Sequence, residues 1–309
     1  MAQAEVVACL SGGKIILLQA GNARRKLNSP YAVEAAARSA APVPFVDVAR
    51  GRRTDELCYA LSVAGVSSVF TQVPGSGEER RLFSAEAEIR DLDFSFADEA
   101  LACTVRSKDG SSAIGLLADD GKGMRTITEG DVIDREPRWA PGGRGEIVYA
   151  SAGIGRAKSG ARVGLAPSSL HRLNLAESTV EVLVADAKYD YLAPVPVSNQ
   201  LIYALRGPYR AAEQAAPGVL SRLLTPFRAK PASAPSVADA SLGHELVRIT
   251  ERGMEVVAQG VLAFDVSAAG VLVYSNASAI FRLARPATES SSQREQIAEL
   301  DHAQQLVLC

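Results

Sequence analysis

A short apolar pattern recurs six times along this chain of 309 residues. Each copy ends in Tyr or Cys after two apolar residues, and the copies are VVAC (6–9), ELCY (56–59), ALAC (100–103), EIVY (146–149), QLIY (200–203) and VLVY (271–274). Successive copies start 50, 44, 46, 54 and 71 residues apart, and 44 residues separate the last from the first when the count continues through the C-terminus. A recurrence near 44 residues, lengthened by insertions, is typical of solenoids and propellers, and the matching wrapped interval favours a closed ring.

Further strand patterns accompany every copy of this motif. Another strand is predicted after each copy, at 14–19, 68–73, 113–118, 170–175, 245–250 and 279–284. An outermost strand follows that one, at 23–28, 79–84, 124–129, 179–184, 254–259 and 294–300. An innermost strand precedes five of the copies, at 44–49, 92–97, 137–141, 192–197 and 262–267. Only the first copy lacks one, so we expect residues 303–309 to supply it and to close the ring without an exposed sheet edge.

The chain is therefore predicted to be all-β, as a six-bladed β-propeller of four-stranded antiparallel blades in a single domain, 1–309. Two helical insertions are expected. One lies near 29–41, where Ser29 before Pro30 is a good helix start and several alanines follow. The other lies near 213–228, inside a long insertion of blade five at 207–243. A smaller bulge rich in Gly and Ala is predicted at 152–168.

The best-preserved unit is PRWAPGGRGEIVYAS, residues 137–151. It resembles the TolB-like β-propeller repeat, usually seen as Pro-x-Trp-Ser-Pro-Asp-Gly-x-x-Ile-x-Phe. The matching residues are Pro137, Trp139, Pro141, Gly143, Ile147 and Tyr149, while Ala140 replaces the Ser and Gly142 replaces the Asp. The resemblance implies a six-bladed propeller. Exported members of that family work with outer-membrane partners and others gate serine peptidases, but no export signal or peptidase domain is recognised here, so neither activity is carried over.

Composition narrows the functional classes. The net charge is −2 with 22% charged residues, which does not indicate a nucleic-acid binder. The first residues lack the basic start and long apolar run of a signal peptide, so a cytoplasmic location is expected. Cys9, Cys58 and Cys103 fall inside predicted strands without paired spacing, which favours buried thiols over disulfides or metal ligands.

No catalytic motif stands out. The sequence has neither a G-x-S-x-G elbow nor an S-x-x-K pair. Its three histidines, His171, His244 and His302, belong to different predicted units, so no zinc site, metal or cofactor is expected. Four aromatic residues recur at fixed positions of the units, which favours packing between blades over ligand binding: Trp139, Tyr149, Tyr203 and Tyr274.

Topology indicates which face carries function. In four-stranded antiparallel blades, the blade-to-blade connections and the turns between second and third strands share one face. All three predicted insertions lie on it, and long loops on a rigid scaffold commonly bind ligands. The connections predicted to surround the channel mouth there contribute the candidate binding residues Arg90, Asp91, Asp134, Arg135, Glu136, Tyr189, Asp190 and Tyr191. The alternative is that they are ordinary solvated loop residues.

An apolar stripe inside the long insertion is a further candidate. It includes Leu223 and Phe227 and is flanked by basic residues. One interpretation is that the stripe packs on its own propeller. The other is that 218–230 docks a protein partner or an anionic membrane surface.

The leading hypothesis is a non-catalytic binding scaffold that engages a protein or peptide partner through the face with the inter-blade loops and the 207–243 insertion. The first alternative is a propeller-type lactonase or hydrolase, with Asp134, Glu136 and Asp190 at the channel mouth and a divalent metal. The second is a structural subunit of a membrane-peripheral complex. Nucleic acid is not an expected partner.

Overall fold

The computed structural model describes residues 6–19, 23–53, 55–118, 123–142, 145–211, 244–267, 269–283 and 294–309. Their strand pairings form four separate four-stranded antiparallel sheets and one nine-stranded sheet. In the nine-stranded sheet, a single parallel bridge between Ser112 and Ile133 joins two further antiparallel groups, so six groups of four principal strands result. Blade 1 contains β1 (Val7–Ser11), β2 (Lys14–Gln19), β3 (Ala23–Lys26) and the C-terminal β25 (Gln305–Leu308). Blade 2 contains β4 (Phe45–Arg50), β5 (Leu57–Val63), β6 (Val66–Gln72) and β7 (Glu79–Ala85). Blade 3 contains β8 (Glu88–Ser95), β9 (Ala100–Arg106), β10 (Ser112–Ala118) and β11 (Met124–Thr126).

The second half of the chain repeats this arrangement. Blade 4 contains β12 (Val132–Trp139), β13 (Glu146–Arg156), β15 (Ser169–Asn174) and β16 (Thr179–Val184), with the extra strand β14 (Arg162–Leu165). Blade 5 contains β17 (Tyr189–Ser198), β18 (Leu201–Pro208), β19 (Glu245–Thr250) and β20 (Gly253–Gln259). Blade 6 contains β21 (Ala263–Val266), β22 (Leu272–Ser275), β23 (Ala279–Leu283) and β24 (Arg294–Glu299). The predicted all-β propeller is confirmed, and the six groups agree with the predicted blade number.

The C-terminal strand completes the first blade, as predicted. Strand β25 pairs antiparallel with β1, with Leu308 opposite Val7 and Gln305 opposite Leu10. The backbone N–H of Cys309 also donates to the carbonyl of Val6 at 2.8 Å. The inner edge of the first sheet is therefore paired instead of exposed. That the whole chain forms one domain stays a prediction.

The apolar core lies between the faces of neighbouring blades. Strand alternation turns the recurring Tyr and Cys side chains into these layers, where they are almost fully buried: Cys9, Tyr59, Cys103, Tyr149, Tyr203 and Tyr274. One layer joins blades 1 and 2 and contains Phe45, Tyr59 and Phe70. The predicted packing role of the recurring tyrosines is confirmed. Trp139 differs, since it is only half-buried and also lines a cavity.

One helix is present in the described part of the chain, α1 (Pro30–Ser39), between blades 1 and 2. Ser29 caps its start by accepting a hydrogen bond from the N–H of Ala32 at 3.0 Å, and Pro30 has no N–H to satisfy. The carboxylate of Glu79 accepts from the N–H of Tyr31 at 2.9 Å and from the hydroxyls of Ser29 and Tyr59. The predicted helix at 29–41 is confirmed, whereas the predicted helix at 213–228 lies outside the described residues.

The structure refines one prediction of local structure and corrects another. The bulge predicted at 152–168 contains regular structure, because β13 continues to Arg156 and pairs with β14 as a hairpin. Residues 88–91, 132–136 and 189–191 were predicted as loops, but they form the first halves of the innermost strands β8, β12 and β17. These strands contain register shifts that interrupt the alternation, so the sequence pattern indicated only their second halves.

Candidate functional site in the central channel

The innermost strands surround a central channel with two distinct ends. We call one end the insertion face, because the blade-to-blade connections, helix α1 and the β13–β14 hairpin lie on that side. We call the other end the turn face, which carries the short turns between first and second strands, such as those at 96–99 and 199–200. A cavity lies at each end, with a volume of about 400 Å³ at the insertion face and about 450 Å³ at the turn face.

Bulges near the middle of three innermost strands shape the insertion-face cavity. Asp91, Glu136 and Ala193 have left-handed φ values of 55°, 57° and 47°, each at the register shift of β8, β12 or β17. Residues other than Gly adopt this conformation only at a cost, so the surrounding hydrogen bonds must maintain it. All three residues line the cavity. The bulges thus direct two carboxylates into the channel.

Three carboxylates converge on this cavity, and each binds the main chain of the next blade. Asp47 accepts from the N–H of Leu92 at 2.5 Å. Asp91 accepts from the N–H of Glu136 at 3.2 Å. Glu136 in turn accepts from the N–H of Ala193 at 2.6 Å. The acidic side chains therefore link blades 2 to 5 in sequence.

Enclosure changes the proton affinity of two of these carboxyl groups. Burial raises the pKa of Asp47 to about 7, and the nearby Asp91 carboxylate acts in the same direction, although the N–H of Leu92 opposes the shift. Burial also raises the pKa of Glu136, against the effect of the Arg135 guanidinium. Both shifts favour the protonated form of these carboxyl groups. Arg90 and Arg138, which also line the cavity, supply positive charge.

A second layer of charged groups lies deeper in the channel. Arg138 pairs with Asp93 at 3.2 Å, and Asp93 also accepts from the N–H of Trp139 at 2.8 Å. Arg50 pairs with Asp265 at 3.2 Å. Arg138 lines both cavities, so this layer is the boundary shared by the two ends of the channel.

The turn-face cavity is lined largely by apolar groups. Its walls include Phe94, Phe96, Trp139 and Pro196. Two cation–carboxylate pairs also line it, Arg50 with Asp265 and Arg138 with Asp93. The rings of Phe94 and Phe96 meet edge to face with centroids 5.4 Å apart, and Phe96 remains 54% exposed. An exposed aromatic residue beside a concave apolar surface is a common feature of binding sites.

The candidate residues from the sequence fall into three groups. Arg90, Asp91 and Glu136 line the insertion-face cavity together. Asp134 and Tyr191 are each only 3% exposed and pack between blades, so their predicted place on an accessible rim is corrected. The remaining described candidates are half-buried and do not line this cavity: Arg135, Tyr189 and Asp190. Leu223 and Phe227 lie outside the described residues.

Sequence reasoning missed Asp47, Arg138 and Gln305, which also line the cavity. The side chain of Gln305 accepts from the N–H of Val48 at 3.1 Å and so links blade 1 to blade 2. A signal was present, since each of the three is a charged or amide residue inside a predicted innermost strand. Such a strand lines the channel, where polar side chains can reach water or a partner.

Neither candidate metal chemistry nor a membrane-spanning helix is found in the described segments. No group of three or more His, Cys, Asp or Glu side chains in this part of the chain could hold a metal ion. Among the same residues, no helix is long and apolar enough to cross a bilayer.

No family model and no curated protein matches this sequence significantly. Solved structures do match. TolB from Acinetobacter baumannii aligns with 99% of this chain at a TM-score of 0.65 and 10% identity, and the chain covers 66% of that protein. A chain of the nidogen–laminin complex aligns with 98% coverage of both chains at a TM-score of 0.60 and 9% identity. Putative TolB from Agrobacterium tumefaciens aligns with 96% of this chain at a TM-score of 0.52 and 12% identity, and the chain covers 90% of that protein.

The chain is a β-propeller protein. Its fold is TolB-like, which confirms the resemblance first indicated by residues 137–151. At identities of 9–12% the likeness concerns the fold alone.

Proposed function

We propose that this protein is a non-catalytic scaffold that recognises a protein or peptide through its insertion face. The observation that carries the proposal is the cavity of about 400 Å³ on that face, where Arg90, Asp91 and Glu136 meet. The rigid strands position these groups, and the projecting elements around them enlarge the contact surface. The structural match to a chain of the nidogen–laminin complex, an assembly of two proteins, supports this type of role.

The carboxylates favour a partner with a basic group. Glu136 accepts one main-chain N–H, Asp91 accepts one N–H and the hydroxyl of Thr104, and a carboxylate has room for further donors. A lysine, arginine or amino terminus could enter the cavity beside Asp91 and Glu136. Arg90, half-exposed at the same cavity, would then contact an acceptor on the partner. Long-range attraction of such a partner should weaken with added salt.

Affinity capture from cell extract, with quantitative mass spectrometry, tests this proposal. Arg90→Ala and deletion of 210–240 should each deplete the same captured protein. Arg106→Ala is the matched control, because Arg90 and Arg106 both pair with Glu88 but only Arg90 lines the cavity. Equal depletion by the Arg106 variant, or capture unaffected by the Arg90 variant, would reject the insertion-face site. Capture that survives the deletion would reject a docking role for the insertion, including 218–230.

A hydrolase of the propeller lactonase type is the second candidate. The observation in its favour is that burial raises the pKa of Glu136 beside an accessible cavity, as in a general acid. The other carboxylates first considered for this role do not join it there, since Asp134 is buried and Asp190 binds the N–H of Ser168 at 2.7 Å. Calorimetric titration with calcium or magnesium, compared between the wild type and Glu136→Gln, tests this candidate. Heat that is absent from both titrations counts against metal-assisted hydrolysis.

A further inference from the structure

The turn-face half of the channel contains a repeated link between blades. Asp93 of blade 3 accepts from the N–H of Trp139 in blade 4 at 2.8 Å. Asp265 of blade 6 accepts from the N–H of Leu308 in blade 1, also at 2.8 Å. Asp93 and Asp265 occupy the same register position of their innermost strands. The residues at that position in the next blades are Arg138 and Val307, and each donor, Trp139 or Leu308, is the following residue. The two links therefore follow one register rule, although the equivalent positions of the other four blades carry no carboxylate: Ala49, Arg138, Pro196 and Val307.

The same rule applied to blades 5 and 6 pairs Pro196 with Val266. Pro196 of β17 lies opposite Ile202 of β18, which is the register position that Asp93 and Asp265 occupy in their own blades. A proline side chain has no acceptor. The N–H of Ser267 donates to Val271 on β22, so strand alternation turns the N–H of Val266 away from β22 and toward the channel. The carboxylate that links blades 3 and 4 and blades 6 and 1 is therefore absent from the junction of blades 5 and 6.

A second donor lies beside this position. The guanidinium of Arg50 contacts Asp265 at 3.2 Å and the carbonyl of Val266 at 3.5 Å, both through Nη2. Within the described residues, its Nε and Nη1 atoms donate no hydrogen bond, and its side chain is 39% exposed. Arg50, Pro196 and Val266 all line the turn-face cavity. A main-chain N–H and a guanidinium with spare donors together suit an anionic oxygen.

We propose that the turn-face cavity binds a carboxylate carried on an apolar or aromatic body. The carboxylate takes the place that Asp93 and Asp265 occupy at the junctions of blades 3–4 and 6–1, accepting from Val266 N–H and Arg50. The body packs against Phe94, Phe96 and Trp139. Either a small apolar acid or the C-terminus of a peptide ending in an apolar residue has this chemistry. The site lies on the face opposite the proposed insertion-face site, so either proposal can fail without the other.

Fluorescence provides a direct test, since Trp139 is the single tryptophan of the chain and lines this cavity. The full-length protein is titrated with phenylacetate and with acetyl-Ala-Ala-Phe bearing a free C-terminus, and then with the amide of each. We expect saturable changes in emission for the acids and about tenfold weaker binding of the amides, because the amides lack the charge. Tighter binding of the peptide acid identifies a chain terminus, and tighter binding of phenylacetate a small acid. Equal affinities for acids and amides, or no saturable change with any probe, overturn the proposal.

Substitutions at one position sharpen the test. Pro196→Asp should fill the site from within and weaken acid binding by at least about tenfold, whereas Pro196→Ala should leave the site open and retain binding. Phe96→Ala, at an exposed position, should weaken both acids by removing a wall, and it provides a second variant if the aspartate variant fails to fold. Wild-type affinity in a folded Pro196→Asp protein, or in Phe96→Ala, contradicts the proposed site.

Discussion

The carboxylate of Asp47 in blade 2 accepts a hydrogen bond of 2.5 Å from the backbone N–H of Leu92 in blade 3. Asp47 is only 2% exposed, and its other oxygen accepts from the N–H of Val48 at 2.9 Å. The bond joins two sheets that the chain itself connects only at the rim. Similar bonds from main-chain N–H groups are accepted by the side chains of Gln305, Asp91, Glu136 and Asp265. The blades are therefore held together by channel side chains as well as by apolar layers.

Asp47 should make stability depend on pH near neutrality. Its pKa is raised in the folded protein to about 7 from the ordinary 3.8, so folding favours its protonated form. Its stabilising contribution is complete below about pH 4 and is lost as the pH rises through 7. Urea unfolding at pH 5 and pH 8 should show this loss, at most about 1.4 kcal/mol per pH unit.

The variant Asp47→Asn should flatten that part of the profile, because an amide does not titrate. Asp301→Asn, at an exposed position, is the control and should keep the wild-type slope. A steep fall in stability between pH 5 and pH 8 that persists in Asp47→Asn would assign the effect to another group.

Asp265→Ala should destabilise the closure of the ring. The change removes the acceptor of the N–H of Leu308, which is buried, and also the ionic partner of Arg50. An unsatisfied buried donor costs about 1–3 kcal/mol, so we expect a loss of that size in chemical denaturation. Hydrogen exchange should also become faster in 305–308. Unchanged stability would show that the C-terminal strand is held by its pairing with β1 alone.

Pro196→Asp should be more stable than Pro196→Ala. The new carboxylate would accept from the N–H of Val266 by the geometry already present at Asp93 and Asp265. A hydrogen bond to a charged group contributes about 1.5–3 kcal/mol when its geometry is good. The comparison with alanine separates this gain from the loss of proline rigidity. Thermal unfolding that places the aspartate variant below the alanine variant would refute the shared geometry.

Ser29→Ala should weaken helix α1. The hydroxyl caps the helix by accepting from Ala32, and it donates to Glu79. Loss of an N-cap typically costs about 1 kcal/mol, and hydrogen exchange in 30–39 should accelerate. Ser39→Ala is the matched control at the other end of the helix, where the hydroxyl binds only carbonyls of 35 and 41. Equal effects of the two substitutions would argue against the capping role.

The architecture was readable from the sequence because its signals are local. The copies from VVAC to VLVY locate the second strand of every blade, and strand pairing follows from short turns between neighbours. The clasp of 303–309 onto β1 was also predictable, since only one unit lacked an innermost strand. Helix α1 carried its own start signal in Ser29 and Pro30.

The site was only partly predictable. Arg90, Asp91 and Glu136 were identified from their place in the topology, whereas Asp47 and Arg138 were not. Asp134 and Glu136 are two residues apart in one strand and would share a face under strict alternation. The register shift between Arg135 and Arg138 separates them, so Asp134 is buried and Glu136 lines the cavity.

The sequence by itself determined the order of the principal strands in each blade, because each repeat carries the apolar pattern and turns that form one blade. Only the tertiary structure decided which polar groups face the channel and which donors lack a partner. Those outcomes depend on bulges in β8, β12 and β17 and on contacts between blades about 45 residues apart along the chain. Such contacts arise only when the ring closes, so no stretch of sequence specifies them alone.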